Sequence, residues 1–358
     1  MSKKDTRTMR VARAYALDDV RVEEAPLPTL QPGDILVRVT VCGVCSSDAM
    51  DWYVGRKVPV VLGHEPIGEV REVTAGVEGL AVGDRVFFHH HVPCMECRLC
   101  QRGQYTSCRR FRESSLDPGG FAEFVRVPAE IVRLDVLRLP AELSDEAAAF
   151  IEPVACSLRA FRKLDIEPGN SMWVIGAGPM GLINIRLARH FGADPIVVSD
   201  PVEVRRDYAR GAGADVVLDP AAADFAERLL EATGGWGAEK IMVGPGSVAA
   251  IEHGLSLAAP GANVLVFTPT PPEATVAYRP HDLYFKEVTI SHSYSSGPVE
   301  TREALSLLAS GELQVDDLIT HRFGLEGVGE ALRLAKTHDE GLRAVVYPHG
   351  LGVEVKTI

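Results

Sequence analysis

Basic surface charge and long apolar segments are both scarce in this sequence. Its 358 residues carry 37 Lys and Arg against 49 Asp and Glu, which gives a formal net charge of −12. This acidic balance argues against nucleic-acid partners and against an anionic membrane surface, because both need basic patches. No apolar run approaches the roughly 20 residues that span a bilayer, and no apolar segment of a secretory signal follows the first ten residues. We therefore expect a cytoplasmic protein in which residues 1–8 form a disordered tail.

Cysteine is also scarce, yet four of the seven cysteines fall within fifteen positions, CMECRLCQRGQYTSC. In a reducing cytosol, clustered thiols are more often metal ligands than disulfides. The spacing C-x2-C-x2-C-x7-C allows Cys94, Cys97, Cys100 and Cys108 to surround one ion. Four thiolates leave no open position, which predicts a structural zinc site. The alternatives are reduced cysteines without a metal and an iron–sulfur cluster, whose usual cysteine runs are spaced differently.

The chain is long for one domain, and its pattern changes twice along its length. Short extended runs separated by glycine and proline predict a barrel-like β lobe in the first part. An alternation of strands and helices then predicts a parallel sheet of βαβ units. We expect an α/β protein with one unit formed by residues 9–158 and 294–358, which includes the cysteine lobe 94–108. The second unit is expected to be residues 159–293.

A dinucleotide-binding fingerprint lies in the second part of the chain. The apolar strand 172–175 is followed by G-A-G-P-M-G and then by an amphipathic helix. Glycines permit a tight turn and a close approach of the backbone to a pyrophosphate at the helix N-terminus. Asp200 ends the next apolar strand, where a carboxylate binds the ribose hydroxyls and repels a 2′-phosphate, so NAD is favoured over NADP. Arg205 and Arg206 weaken that preference, because a nearby arginine can accept the phosphate. The predicted cofactor-binding residues are Gly176, Gly178, Pro179, Met180, Gly181, Asp200 and Arg205.

A second possible metal site lies in the β part of the chain. His64 and Glu65 follow Cys45 after a gap of 19 residues (64 − 45). A catalytic zinc has three protein ligands of these types and one open position. A plain loop at G-H-E and a separate C-x2-C pair formed by Cys42 and Cys45 remain alternatives. Three consecutive histidines, His89–His91, are interpreted as structural, because side chains on a strand alternate between its two faces.

The motifs in their order resemble the zinc-dependent medium-chain dehydrogenases over nearly the whole chain. The branch they resemble most holds sorbitol and other polyol dehydrogenases and L-threonine dehydrogenase. The motifs are G-V-C-S-S-D at Gly43–Asp48, G-H-E at Gly63–Glu65, G-D-R-V at Gly83–Val86, the four-cysteine lobe, I-E-P at Ile151–Pro153 and the glycine loop at Gly176–Gly181. The resemblance implies a GroES-like β-barrel catalytic domain, a Rossmann cofactor domain, NAD and two zinc ions per subunit. It also implies a homodimer or homotetramer.

The resemblance also implies roles for individual residues. Cys45 and His64, with Glu152 or Glu65, would bind the catalytic zinc, because I-E-P stands where alcohol dehydrogenases place a second cysteine. Asp48 would hydrogen-bond His64 and fix its tautomer. Ser47 would take the proton of the substrate hydroxyl. The residues expected to line the substrate pocket are Trp52, Tyr53, Phe121, His292 and Tyr294.

The sequence departs from the family pattern at two places beside the expected active site. Met50 stands where many relatives have a relay histidine, and Gly244–Gly246 replaces a Cys-Thr-Gly-like turn. The implied activity is hydride transfer between NAD and a polar secondary alcohol, such as a polyol, cyclitol, sugar or amino alcohol. The alternatives are a zinc-free quinone or enone reductase and a non-catalytic NAD- and zinc-binding protein.

Overall fold

The computed structural model describes residues 7–337 and 341–351. The chain divides into two compact units, Met1–Pro153 with Ser296–Ile358 and Val154–Ser295. The boundaries expected from the sequence were after residues 158 and 293. Of the expected tail, residues 1–6 lie outside the described residues, and the first strand begins at Thr8.

The strands and helices follow the order expected from the sequence pattern. The strands are β1 (Thr8–Ala16), β2 (Asp19–Pro26), β3 (Ile35–Gly43), β4 (Val60–Val61), β5 (Glu65–Val73), β6 (Arg85–Phe88), β7 (Phe124–Val127), β8 (Val136–Arg138), β9 (Met172–Ile175), β10 (Ile196–Ser199), β11 (Val216–Leu218), β12 (Ala238–Val243), β13 (Ala258–Val266), β14 (Thr289–His292), β15 (Ile319–Gly324) and β16 (Arg343–Tyr347). The helices are α1 (Asp51–Val54), α2 (Arg98–Gln101), α3 (Arg109–Glu113), α4 (Ala129–Asp135), α5 (Asp145–Ala148), α6 (Ile151–Leu164), α7 (Pro179–His190), α8 (Glu203–Gly211), α9 (Phe225–Ala232), α10 (Val248–Ser256), α11 (Pro280–Phe285), α12 (Pro298–Ala309) and α13 (Val328–Thr337). No described helix is long and apolar enough to cross a membrane.

The first unit is built from two mainly antiparallel sheets. One sheet has the order β15-β16-β3-β5-β6-β8, with β7 also paired to β3, and the other has the order β2-β1-β4. Strand β3 is central, and Val37 and Val39 on it are fully buried in the core of this unit. The β3–β5 pairing sets Gly43 opposite Glu65, which brings the end of one strand to the start of the next. The sequence immediately after β3 and immediately before β5 therefore lies close together.

The second unit is a parallel sheet with the order β11-β10-β9-β12-β13-β14. Numbered within the unit, this is the order 3-2-1-4-5-6 of the doubly wound dinucleotide-binding fold. All four residues of β9, Met-Trp-Val-Ile, are buried, as expected for a parallel strand covered on both faces. The order reverses between β9 and β12, and in such sheets the ligand binds at the carboxyl ends of the strands beside this reversal.

Candidate functional site

Cys45, His64 and Glu65 are brought together by the paired ends of β3 and β5. Their ligand atoms all lie within 4.8 Å of one another. Gly63 has φ +89°, a conformation that favours glycine, and a Cβ there would lie 2.8 Å from the ring of Phe121. The glycine of G-H-E thus lets the chain turn into β5 with the imidazole of His64 beside the thiol of Cys45.

His64 is held from its other ring nitrogen by Asp48. The Nδ1–Oδ1 distance is 3.1 Å, which leaves Nε2 for a metal, the arrangement that orients ligating histidines in zinc sites. Burial disfavours the charged ring, but the carboxylate of Asp48 and the sulfur of Cys45 together outweigh it and raise the pKa of His64 well above its usual value. Ser47 donates its hydroxyl to the sulfur of Cys45 at 3.3 Å.

Glu65 forms a buried ion pair with Arg343, a residue that the sequence reasoning did not identify. One oxygen of Glu65 is bonded to the guanidinium, and the other, Oε1, is buried without a hydrogen-bond partner among the described residues. Burial raises the pKa of Glu65, although Arg343 acts in the opposite direction. No local signal pointed to Arg343, because it lies 278 positions along the chain from its partner.

Glu152 adds a further carboxylate to this region from the first turn of α6. Its side chain is buried, and its charge acts on both Glu65 and Arg343. With Asp48, three buried carboxylates therefore lie in the region of Arg343 and His64. Buried negative charge is costly unless it is paired or coordinates a metal, so the donor set of thiol, imidazole and carboxylates fits a divalent zinc ion.

The histidine triplet is not on a strand, which corrects the premise on which it was interpreted. Strand β6 ends at Phe88, and His89–His91 lie in the turn that follows. The ring of His90 lies 5.0 Å from the ring of His64, measured between centroids. His89, His90 and Glu152 form a second group whose ligand atoms lie within 4.8 Å of one another. The alternation of a strand therefore does not keep His90 away from the metal site.

The four-cysteine lobe has the dimensions of a tetrahedral zinc site. Four of its Sγ–Sγ distances lie between 3.6 and 3.9 Å. A Zn–S bond of about 2.3 Å gives an edge of about 3.8 Å in a tetrahedron, whereas a disulfide requires about 2.05 Å. Burial raises the pKa of Cys108, but backbone N–H groups of Cys94 and Phe111 outweigh it and lower the pKa to about 6. The thiolate form that binds metal is therefore favoured at this position.

The glycine loop of the second unit connects β9 to α7 at the carboxyl end of the sheet. Gly176 has φ +94°, and α7 begins at Pro179 directly after Gly178. A Cβ on Gly181 would overlap the carbonyl oxygen of Gly176, so this helix can approach the strand only with glycine at that position. Asp200 is buried after β10, and its carboxylate accepts the backbone N–H of Ala177 at 2.8 Å.

Two arginines follow the ribose-binding candidate in α8. Arg206 donates to the backbone oxygen of Asp200 at 2.8 Å and pairs with Asp219. A Cβ built on Gly178 would lie 3.8 Å from a guanidinium nitrogen of Arg205, so Arg205 lies beside the glycine loop together with Met180 of α7. The carboxylate of Asp200 and the guanidinium of Arg205 thus both lie beside the glycine loop, and Arg206 is bonded to the backbone of Asp200.

The residues expected to line a substrate pocket fall in both units. In the first unit, Trp52 and Tyr53 belong to α1 with ring centroids 5.8 Å apart, and Phe121 is fully buried in the core. In the second unit, His292 lies on the edge strand β14, and Tyr294 is 52% exposed. Met50, which replaces a relay histidine, directly precedes α1.

Comparison with known proteins identifies relatives along the whole chain. The family models "Alcohol dehydrogenase GroES-like domain" and "Zinc-binding dehydrogenase" match residues 31–140 and 179–310. The chain is 33% identical to an L-threonine 3-dehydrogenase of Pyrococcus abyssi over 95% of this chain and 98% of that protein. It is 31% identical to a probable D-xylulose reductase A of Neosartorya fischeri over 92% of this chain and 94% of that protein. The crystal structure of 2R,3R-butanediol dehydrogenase from Bacillus subtilis matches with a TM-score of 0.83 and 27% identity, covering 95% of this chain and 99% of that one.

Proposed function

We propose that this chain, which belongs to the zinc-binding alcohol dehydrogenases of the medium-chain family, oxidises polar secondary alcohols. In these alcohols, the carbon next to the reacting carbon carries a hydroxyl or amino group. Its general activity is hydride transfer between a secondary alcohol and NAD, with zinc as the metal cofactor. The three relatives named above share one substrate feature in their names. Threonine, butanediol and xylulose each have a polar substituent next to the reacting carbon. A polyol, cyclitol, sugar or amino alcohol meets the same requirement.

The observation that supports catalysis best is the close grouping of Cys45, His64 and Glu65 beside the buried Glu152. These donors suit a catalytic zinc, which would act as a Lewis acid towards the substrate oxygen. Glu152 is proposed as the third ligand, because one oxygen of Glu65 is already bonded to Arg343. The free oxygen of Glu65 would serve as an alternative donor. A zinc-free quinone or enone reductase would not need this buried set of donors.

Ser47 and Asp48 are proposed to support the chemistry through contacts with two different ligands. Asp48 orients the imidazole of His64, with an Nδ1–Oδ1 distance of 3.1 Å. Ser47, whose hydroxyl is 3.3 Å from the sulfur of Cys45, would take the proton from the substrate hydroxyl. Met50 has no ionisable group and cannot carry that proton further, so the proton leaves by another route. Trp52 and Tyr53 are proposed to contact the substrate.

The remaining roles concern the cofactor and the assembly. Asp200 is proposed to bind the adenosine ribose, which gives NAD precedence over NADP. The loop residues Gly176–Gly181 would hold the pyrophosphate. Two zincs per chain are proposed, with the one in the cysteine lobe purely structural. By analogy with its family, we infer a homodimer or homotetramer that acts in the cytoplasm, and light scattering on purified protein would measure the assembly.

The test combines a zinc determination with an alcohol panel read by NADH absorbance. L-Threonine, 2,3-butanediol, xylitol, sorbitol and myo-inositol are compared with propan-2-ol, which lacks the second polar group. We expect one class to exceed propan-2-ol in kcat/KM by roughly 10²-fold or more, since a site that hydrogen-bonds a polar group rejects analogues without it. Equal values for propan-2-ol would contradict the proposed substrate class.

Cys45→Ser tests the ligand assignment in the same assays. It should abolish turnover and remove one zinc per chain while NADH binding persists, because the glycine loop lies in the other unit. Cys42→Ser is the matched control, since Cys42 lies three positions before Cys45 and is a buried core thiol near the end of β3. Turnover that survived in Cys45→Ser would exclude Cys45 as an essential ligand.

A further inference from the structure

His90 is the residue of the histidine triplet whose ring contacts the ring of His64. Its Nδ1 is buried and has no hydrogen-bond partner among the described residues. A buried polar atom without a partner costs free energy unless a ligand or an ion satisfies it. Its ring lies 5.0 Å from the ring of His64, between centroids.

The two flanking histidines face other polar groups, although the Nδ1 of His89 is, like that of His90, buried without a hydrogen-bond partner among the described residues. The Nδ1 of His89 is 3.3 Å from a carboxylate oxygen of Asp135, and its Nε2 is 3.5 Å from the hydroxyl of Ser296. The ring N–H of His91 donates to the backbone oxygen of Ser114. The rings of His89 and His91 thus lie beside Asp135 and Ser114, whereas the ring of His90 lies beside that of His64.

Glu152 links His90 to the proposed catalytic zinc. Ligand atoms of the two residues lie within 4.8 Å of each other. Two donors bound at about 2.0–2.2 Å to one tetrahedral zinc are about 3.3–3.6 Å apart, so a small rotation of either side chain would close the remaining gap. All of these residues belong to the first unit.

We propose that His90 is a further ligand of the zinc proposed for Cys45 and His64. This inference rests on the proposed function and adds to it a second imidazole on the same ion. Together with Cys45, His64 and Glu152, His90 would bring the number of protein ligands to four. Four ligands complete a closed zinc site, whereas a catalytic site keeps one position open. In the substrate-free protein, His90 therefore occupies the position for which the substrate competes.

X-ray absorption at the zinc edge tests this on the unaltered protein loaded with two zincs. Two imidazoles distributed over two zincs give an average of about one imidazole per zinc, whereas His64 alone gives about one half. An average near one half imidazole per zinc would overturn the inference. This measurement uses the unaltered protein and so does not depend on whether a variant folds. A third zinc per chain would also overturn the inference, because His90 and Glu152 would then belong to a separate ion.

Variants of His90 provide the second test, read by zinc retention against increasing chelator concentration. His90→Gln and His90→Phe should release one zinc at a chelator concentration at least about 10- to 100-fold lower than the parent protein, since that range applies even when only a hydrogen-bond partner of a zinc ligand is removed. The Co²⁺-substituted variants should also have altered visible absorption bands. Retention of the second zinc, that of the cysteine lobe, reports that the variant is folded.

Two further variants separate the possible failures. His91→Asn, next to His90 in the turn, should not change zinc retention at the catalytic site. Cys45→Ser should lose that zinc. If Cys45→Ser loses the zinc while both His90 variants keep it with unchanged cobalt bands, the His90 inference alone is wrong. If Cys45→Ser also keeps the zinc, the ligand set under the proposed function is wrong, and the role of His90 falls with it.

Discussion

At the scale of single residues, Gly43 determines whether the Glu65–Arg343 pair can form. Gly43 lies opposite Glu65 in the β3–β5 ladder, and its φ is not in the left-handed region, so its importance is steric. A Cβ there would overlap the carboxylate of Glu65 and lie 2.8 Å from a nitrogen of Arg343. Because both partners are buried, neither can move into solvent to make room.

Gly43→Ala should therefore destabilise the protein and weaken its catalytic zinc site. We expect a loss of roughly 1–3 kcal/mol in the free energy of unfolding, typical of overpacking a core, measured by chemical denaturation. Zinc should also be released from the catalytic site at lower chelator concentration. Gly211→Ala is the matched control, because a Cβ there meets nothing within 4 Å. Equal stability and zinc retention in both variants would show that the pair tolerates displacement.

The sequence allowed the metal-site residues to be predicted only where they lie in short motifs. Cys45 and His64 stand in G-V-C-S-S-D and G-H-E, so their types and spacing were informative. Arg343 carries no such signal, because only the antiparallel pairing of β16 with β3 brings it near Glu65. The strand expected at His89–His91 was wrong for a local reason. Three histidines after an apolar run resemble a strand, whereas β6 ends at Phe88.

At the scale of elements, the cysteine lobe is held by very little apolar packing. Its cluster consists of Cys100, Cys108 and Phe111, with Cys94, Cys97 and Tyr105 partly buried against it. The helices in this segment, α2 and α3, have four and five residues. Isolated helices of that length are unstable in water, so a bound zinc would supply most of the order in the lobe.

Cys97→Ser should consequently lower thermal stability without altering the chemical step. A loss of about 2 kcal/mol would lower Tm by roughly 4–8 °C in a unit of 150–250 residues, and calorimetry would measure it. One zinc per chain should also be lost, while kcat at a temperature well below Tm stays near that of the parent. Cys156→Ser, a cysteine outside the lobe, serves as the control. A melting curve identical to that of the parent protein would argue against a structural role for the lobe.

The order of strands and helices was predictable because the spacing of apolar residues differs between strand and helix segments along the chain. Apolar strands followed by glycine turns and helices predicted the parallel sheet, and the observed order β11-β10-β9-β12-β13-β14 confirms this fold. The helical segment that begins after Ser144 was less accurately predicted. Ser144 does cap a helix by accepting the N–H of Ala147 at 3.0 Å, yet α5 ends after one turn and α6 begins separately at Ile151.

At the scale of the whole molecule, the proposed zinc ligands and the proposed cofactor-binding residues belong to different units. Every proposed zinc ligand lies in Met1–Pro153, and the glycine loop with Asp200 lies in Val154–Ser295. Length and composition favoured two domains but could not position these boundaries, since α6 continues through the boundary after Pro153. The metal and the cofactor should therefore bind through separate sets of contacts.

Progressive removal of zinc with a chelator should separate activity, stability and cofactor binding. The catalytic zinc should leave first, because its donors are mixed and one must yield to substrate, whereas four thiolates close around the other. Turnover should disappear with the first zinc, and Tm should fall mainly with the second. NADH binding, followed by its fluorescence, should persist throughout the first phase. Zinc per chain, rate and Tm are measured on the same samples, and readdition of zinc should restore turnover. A single phase in which turnover, Tm and NADH affinity fall together would contradict the assignment of two zincs with separate roles.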